Sequence, residues 1–232
     1  MKPRTCLILY TELAEYFMAC VRELTQRGIE VHIVHWKVNA EAPFQFVATQ
    51  GIHLYPRDQF NDAQLLALAN RLSPQIILCS GWVDKAYLKV CKQWKGRAAT
   101  VLTMDNHWEG SLKQQVASLF GPLFLGQRFT HAWVPGEPQA RYASKLGFRN
   151  HRILKGFYAA DYNHFKELEQ QISRVRGANL PKRILYLGRY VKHKGIFELW
   201  EAFSELQSET SKDWELWCSG TGEQFDHRIE HP

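Results

Sequence analysis

The sequence predicts an α/β fold, with an open parallel-sheet domain followed by the first βαβ unit of a second one. Three observations support this. Short apolar runs alternate with helix-patterned segments from Cys6 to Val134, the arrangement that places parallel strands between two helical layers. Polarity rises sharply from Phe165 to Lys182, as in a connection between domains. A fresh strand–loop–helix–strand pattern then starts at Arg183. A chain of 232 residues buries roughly 70% of its unfolded surface, enough for one large or two small domains.

The elements follow in order. Cys6–Tyr10 is a short apolar strand, and after it Leu13, Phe17, Cys20, Val21 and Leu24 fall on a single helical face. Gly28 suits a helix stop, and Val31–Trp36 reads as the next strand. The alternation continues through Leu65–Leu72, Ile76–Cys79, Tyr87–Trp94 and Thr100–Met104. Ala132–Val134 reads as a further strand, with a helix starting at Pro138. Gly177 and Pro181 interrupt the polar stretch as breakers. The resulting boundaries are an N-terminal domain at 1–165, a connector at 166–182 and a second domain at 183–232. In the second domain, Ile196, Leu199, Trp200, Phe203 and Leu206 form the inner face of a helix, and Trp214–Ser219 is the next strand.

Composition narrows the function classes. A hydrophobic content of 45% with 22% charged residues excludes a disordered chain and suits a globular one. The net charge of +6 favours anionic partners. Cys6, Cys20, Cys79, Cys91 and Cys218 form no C-x-x-C pair; three of them lie in apolar strand-like runs, the pattern of free thiols in a reducing compartment. No signal peptide is evident, and the longest apolar stretch, Val116 to Gly126, is too short to span a bilayer. The chain therefore reads as cytoplasmic. Leu119–Leu125, flanked by Lys113 and Arg128, reads either as a peripheral membrane contact or as a buried helix pair, and the buried pair is the expectation.

Candidate chemistry concentrates where strands end. After the strand ending at Leu187 come Gly188-Arg189, a short basic loop and Lys194-Gly195 leading into the helix. Open α/β sheets bind ligands at the carboxyl ends of their strands, and an Arg fork with a Lys point charge suits a diphosphate. Gly220 and Gly222 form a turn after the following strand, where missing side chains would let backbone approach a nucleotide. In the N-terminal domain, Asp105, Asn106, His107 and Trp108 directly follow Thr100–Met104, and this mix of polar groups with an aromatic suits a sugar pocket. Trp82 and Asp84 hold an equivalent place after Ile76–Cys79. Glu12, in the first loop, is a further candidate for an acceptor hydroxyl.

These motifs resemble the family 4 (group 1) retaining glycosyltransferases of GT-B fold. The resemblance rests on Gly188-Arg189 with Lys194-Gly195, on Glu201-Ala-Phe203 and Leu206, on Trp214 to Gly222, and on Gly156 with Asp161 and Phe165. It implies a GT-B-like protein: an N-terminal Rossmann-like, acceptor-side domain followed by the opening βαβ unit of a Rossmann-like nucleotide-sugar-binding domain. It also implies that Arg189 and Lys194 are catalytic, binding the donor's diphosphate together with Gly188, Gly220 and Gly222, and that no cofactor or metal takes part. A nucleotide-sugar is then the donor, a saccharide or lipid-linked molecule the acceptor, and no nucleic acid partner is expected. The sequence departs from the family pattern in three places. Tyr10 to Tyr16 carries Glu12 where the family often has paired glycines. Asp105 stands where the family often has a His. The family's distal Glu pair has no counterpart, so the second domain reads as incomplete. A noncatalytic glycan- or nucleotide-binding protein is the alternative.

Two other patterns are set aside. His227-Arg-Ile-Glu-His231 fits H-x-x-E-H but leaves no room downstream for a third ligand. His32 and His35 are three apart in a strand, point to opposite faces and share no metal.

Overall fold

The computed structural model describes residues 4–38, 45–175, 182–209 and 213–224. These divide into two compact units, one running through Asp161 and the other starting at Tyr162.

The first unit alternates strands and helices: β1 (Arg4–Tyr10), α1 (Glu15–Gln26), β2 (Ile29–His35), β3 (Ile52–Pro56), α2 (Asp62–Leu72), β4 (Ile76–Ser80), α3 (Lys85–Trp94), β5 (Ala99–Thr103), α4 (Leu112–Gly126), β6 (His131–Val134), α5 (Glu137–Lys145) and β7 (Ile153–Lys155). All seven strands are parallel, in the order β3-β2-β1-β4-β5-β6-β7. Burial on both faces explains the near-continuous apolar character of β1. Leu7 and Leu9 enter one core with Leu65, Tyr87 and Leu102, while Cys6, Ile8 and Tyr10 enter the other with Phe17, Val21 and Ile33. The strands β3 and β7 are additions to the sequence reading. Both lie at the sheet's edges, where mostly half-buried or exposed residues carry no clear apolar run.

Local chemistry sets the helix starts. Asn61 and Gln64 form a reciprocal capping box on α2, and the carboxylate of Asp84 accepts from the Ala86 and Tyr87 amides at the start of α3. Ser111 caps α4. Gly121 and Leu125 of α4 are buried, but Leu119, Phe120 and Leu123 are 73%, 63% and 71% exposed. The expected buried helix pair is therefore corrected to a single helix with an outward apolar face. Apolar residues surround this helix on all sides, so periodicity did not mark a buried side, and packing on a sheet covers only one. The buried side fits closely: a side chain at Gly147 would come within 2.7 Å of Pro122, and one at Gly121 within 3.0 Å of Leu146.

The second unit holds α6 (Tyr162–Val175), β8 (Lys182–Leu187), α7 (Ile196–Glu209) and β9 (Trp214–Ser219), with β8 and β9 parallel. Much of the polar stretch expected as a connector is helical. Its Glu, Gln, Leu and Lys content favours helix, and the breakers Gly177 and Pro181 lie outside the described residues. Ile196, Phe203 and Leu216 are buried where α7 covers the two strands.

Candidate functional site

In the second unit, the loop after β8 is held against the loop after β9 by backbone hydrogen bonds. The amide of Gly188 donates to the Ser219 carbonyl (3.0 Å), that of Tyr190 to Thr221 (2.9 Å), and that of Gln224 to Tyr190 (2.9 Å). This proximity explains the two glycines. A side chain at Gly220 would lie 1.8 Å from the Gly188 carbonyl oxygen, and one at Gly222 would lie 2.5 Å from that of Tyr190. The backbone that Gly220 and Gly222 admit is thus that of the neighbouring loop. The Tyr186 hydroxyl donates to the Arg189 carbonyl (2.8 Å) and pins the turn. Lys192–Lys194 forms one 3-10 turn, and Gly195, at φ +69°, carries the chain into α7. Arg189 is half-buried, whereas Lys192, His193 and Lys194 are exposed. The result is a basic rim on a hydrogen-bonded double loop at the carboxyl end of β8.

In the first unit, the strand order reverses between β1 and β4, the kind of switch point at whose carboxyl ends open α/β sheets bind ligands. The Ser80 hydroxyl bridges the two strand ends, accepting from the Thr11 amide (2.8 Å) and bonding the Thr11 hydroxyl (2.8 Å). Glu12 is exposed beside this bridge, and Trp82 is half-buried.

Asp105 is exposed at the end of β5 and accepts from the Tyr158 hydroxyl (2.8 Å). The Tyr158 ring meets that of Tyr16 edge-on at 5.2 Å. Tyr10, at the end of β1, is held un-ionised by burial, reinforced by Tyr16, Asp105 and Glu12. Burial and the hydrogen bond to Asp105 likewise push the Tyr158 phenol up. Asp105 and Glu12 therefore share a tyrosine-lined region that can offer hydroxyl and carboxylate groups to a polar ligand. Sequence reasoning missed Tyr16 and Tyr158. Both lie in sequence segments remote from the Asp105 loop, although Tyr158 closely follows Gly156, a residue that the resemblance marked.

The other first-unit candidates have contacts of their own. Asp84 accepts from Arg57 (Nε at 2.9 Å), the Trp36 indole (3.0 Å) and the two α3 amides, leaving its side chain 8% exposed. Burial pushes its carboxyl up, but the Arg57, Trp36 and Tyr87 donors outweigh that and hold it below the ordinary range. Trp108 packs on Tyr142 at 5.6 Å, with the Lys145 ammonium 4.6 Å from its ring centre. His107 lies 3.4 Å from Glu109, and its carbonyl accepts from Gln114; Asn106 is exposed.

Neither a protein-family profile nor a curated protein matches the chain. Solved structures do. An alpha-glucosyltransferase in complex with UDP-glucose and DNA containing an abasic site matches 94% of this chain with 57% of its own, at 13% identity and a TM-score of 0.54. A UDP-N-acetylglucosamine 2-epimerase matches 93% of this chain with 63% of its own, at 12% identity and a TM-score of 0.50. The chain thus spans about three fifths of the length of each. At such identity the likeness speaks for the fold: this is an α/β protein of GT-B-like, Rossmann-type architecture.

Proposed function

We propose that the chain binds a nucleotide-sugar and works in transferring its sugar, with retention and without a metal, to a saccharide or lipid-linked acceptor. The observation that carries this reading is the basic double loop of the second unit. As the sugar–phosphate bond breaks, negative charge gathers on the diphosphate. Arg189 and Lys194, on a loop whose start is held by the Tyr186 and Gly188–Ser219 hydrogen bonds, stabilise that charge. Such a contact typically contributes about 3–4 kcal/mol to lowering the barrier. Residues 183–232 supply the donor-side groups, with Gly188, Gly220 and Gly222 keeping the loops close. Residues 1–165 supply the acceptor-side groups, of which Glu12 and Asp105 are the exposed carboxylates at strand ends.

A peripheral membrane contact belongs to the same reading. On α4, Leu112, Val116, Leu119, Phe120 and Leu123 form one exposed apolar face, and the helix has no acidic residue. Lys113 and Arg128 flank it, and Lys95, Arg149 and Arg152 line a groove of about 340 Å³ next to Gly126. Apolar surface beside cations suits an anionic leaflet, the setting of a lipid-linked acceptor. Among the described residues no helix is long and apolar enough to cross a membrane.

The test is transfer from a panel of nucleotide-sugars to saccharide and lipid-linked acceptors, with Arg189→Ala and Lys194→Ala as variants. A loss of roughly 10²–10³-fold in turnover is expected for Arg189→Ala. Unchanged transfer in that variant, or saccharide binding without consumption of any donor, overturns the reading.

A further inference from the structure

The paired strands β2 and β3 carry a group of side chains that the proposed transfer does not use. Glu30 and His32 are two apart on β2 and share a face; His53 sits opposite His32 in the parallel ladder, and Tyr55 follows two residues later on that same face. Glu30 Oε1 lies 3.1 Å from His53 Nε2 and 3.5 Å from His32 Nε2, and the three atoms all lie within 4.8 Å of one another. The two edges to Glu30 are thus near the roughly 3.3 Å that a tetrahedron with metal–ligand bonds of about 2.0–2.1 Å requires.

We propose that Glu30, His32 and His53 form a binding site for a borderline divalent cation, Zn²⁺ being the type, with water as the fourth ligand. Two imidazoles and one carboxylate are a recognised donor set for this ion. The ring of His32 is already oriented from behind: its Nδ1 is 3.0 Å from the Tyr55 hydroxyl. With Nδ1 donating to that oxygen, the Nε2 lone pair points to the metal, the arrangement that fixes tautomer and aim in metal-bound histidines. The two imidazoles are stacked nearly parallel, 4.4 Å apart, so one must turn for both lone pairs to converge. His53 can do so, because its side chain is 44% exposed while that of His32 is 7% exposed. Arg71 of α2 adds a positive charge acting on His32 and Tyr55, which lowers the affinity for a cation. Because its ligands come from both strands, a bound ion would fasten the edge strand β3 to β2. The site escaped the sequence reading because the partner of His32 lies across the strand pair rather than along its own strand.

The experiment uses the whole 232-residue chain without an affinity tag, freed of metal and titrated with Zn²⁺ by calorimetry and with Co²⁺ by visible absorption. One equivalent of Zn²⁺, an intense four-coordinate Co²⁺ band and a raised melting temperature are expected. His53→Gln and Glu30→Gln should abolish saturable binding while keeping the circular dichroism of the native chain. Tyr55→Phe should weaken binding roughly 10- to 100-fold, and His227→Gln should leave it unchanged. Absence of saturable binding, or a site that survives in His53→Gln, overturns the proposal.

Discussion

Arg57, just beyond β3, reaches the carboxylate of Asp84 at the start of α3 with Nε at 2.9 Å and Nη2 at 3.4 Å. The same carboxylate caps α3 and holds the Trp36 indole beyond β2. One side chain thus ties together the carboxyl ends of β2, β3 and β4.

Removing that knot should be costly. Asp84→Ala leaves the Arg57 guanidinium, 20% exposed, without its partner, and a loss of about 3 kcal/mol is expected. Asp84→Asn, which keeps an acceptor for the cap, should lose less. Because the folded carboxyl titrates below its unfolded value, its stabilisation is complete above the unfolded pKa of about 3.9 and disappears as pH falls through the folded one. Urea denaturation should therefore show a wild-type advantage over Asp84→Asn at pH 7 that narrows below about pH 4.

Gly220→Ala tests the paired loops. The added methyl would meet the Gly188 carbonyl oxygen, so the loops must part, at a cost of about 3 kcal/mol. Hydrogen exchange should quicken at the Gly188 and Tyr190 amides and along β8 and β9. Gly28→Ala, where only a φ of +76° opposes the substitution and nothing lies within 4 Å, should cost about 1–2 kcal/mol.

Thiol reactivity should follow burial. Cys6, Cys79 and Cys91 are buried and Cys20 and Cys218 half-buried, all as free thiols. Burial pushes Cys6 up to about 12. Native protein at pH 8 should react with an aromatic disulfide reagent at no more than Cys20 and Cys218, and at all five cysteines once unfolded.

The exposed face of α4 should govern lipid binding. Leu119→Glu with Leu123→Glu removes two side chains that the fold does not bury. At about 1.5 kcal/mol each, partitioning onto anionic vesicles should fall on the order of 100-fold, with the melting temperature unchanged. Equal sedimentation of variant and wild type with vesicles would remove the membrane from the proposed function.

The sequence by itself determined the sheet's centre and the place of the basic loop. The strands β1, β4 and β5 are apolar on both faces because helices cover both, so their sequences carry the signal without any knowledge of neighbours. Gly188, Arg189 and Lys194 were legible for a similar reason: a glycine and two cations at a strand's end are local chemistry. Only the tertiary structure decided the rest. It sent Asp84 to Arg57 and Trp36, packed Trp108 on Tyr142, joined Asp105 to Tyr158, and set His53 against His32. Each of these pairings depends on strand order, and strand order depends on which apolar faces pack together. That is a property of the whole chain, which a window of residues does not contain.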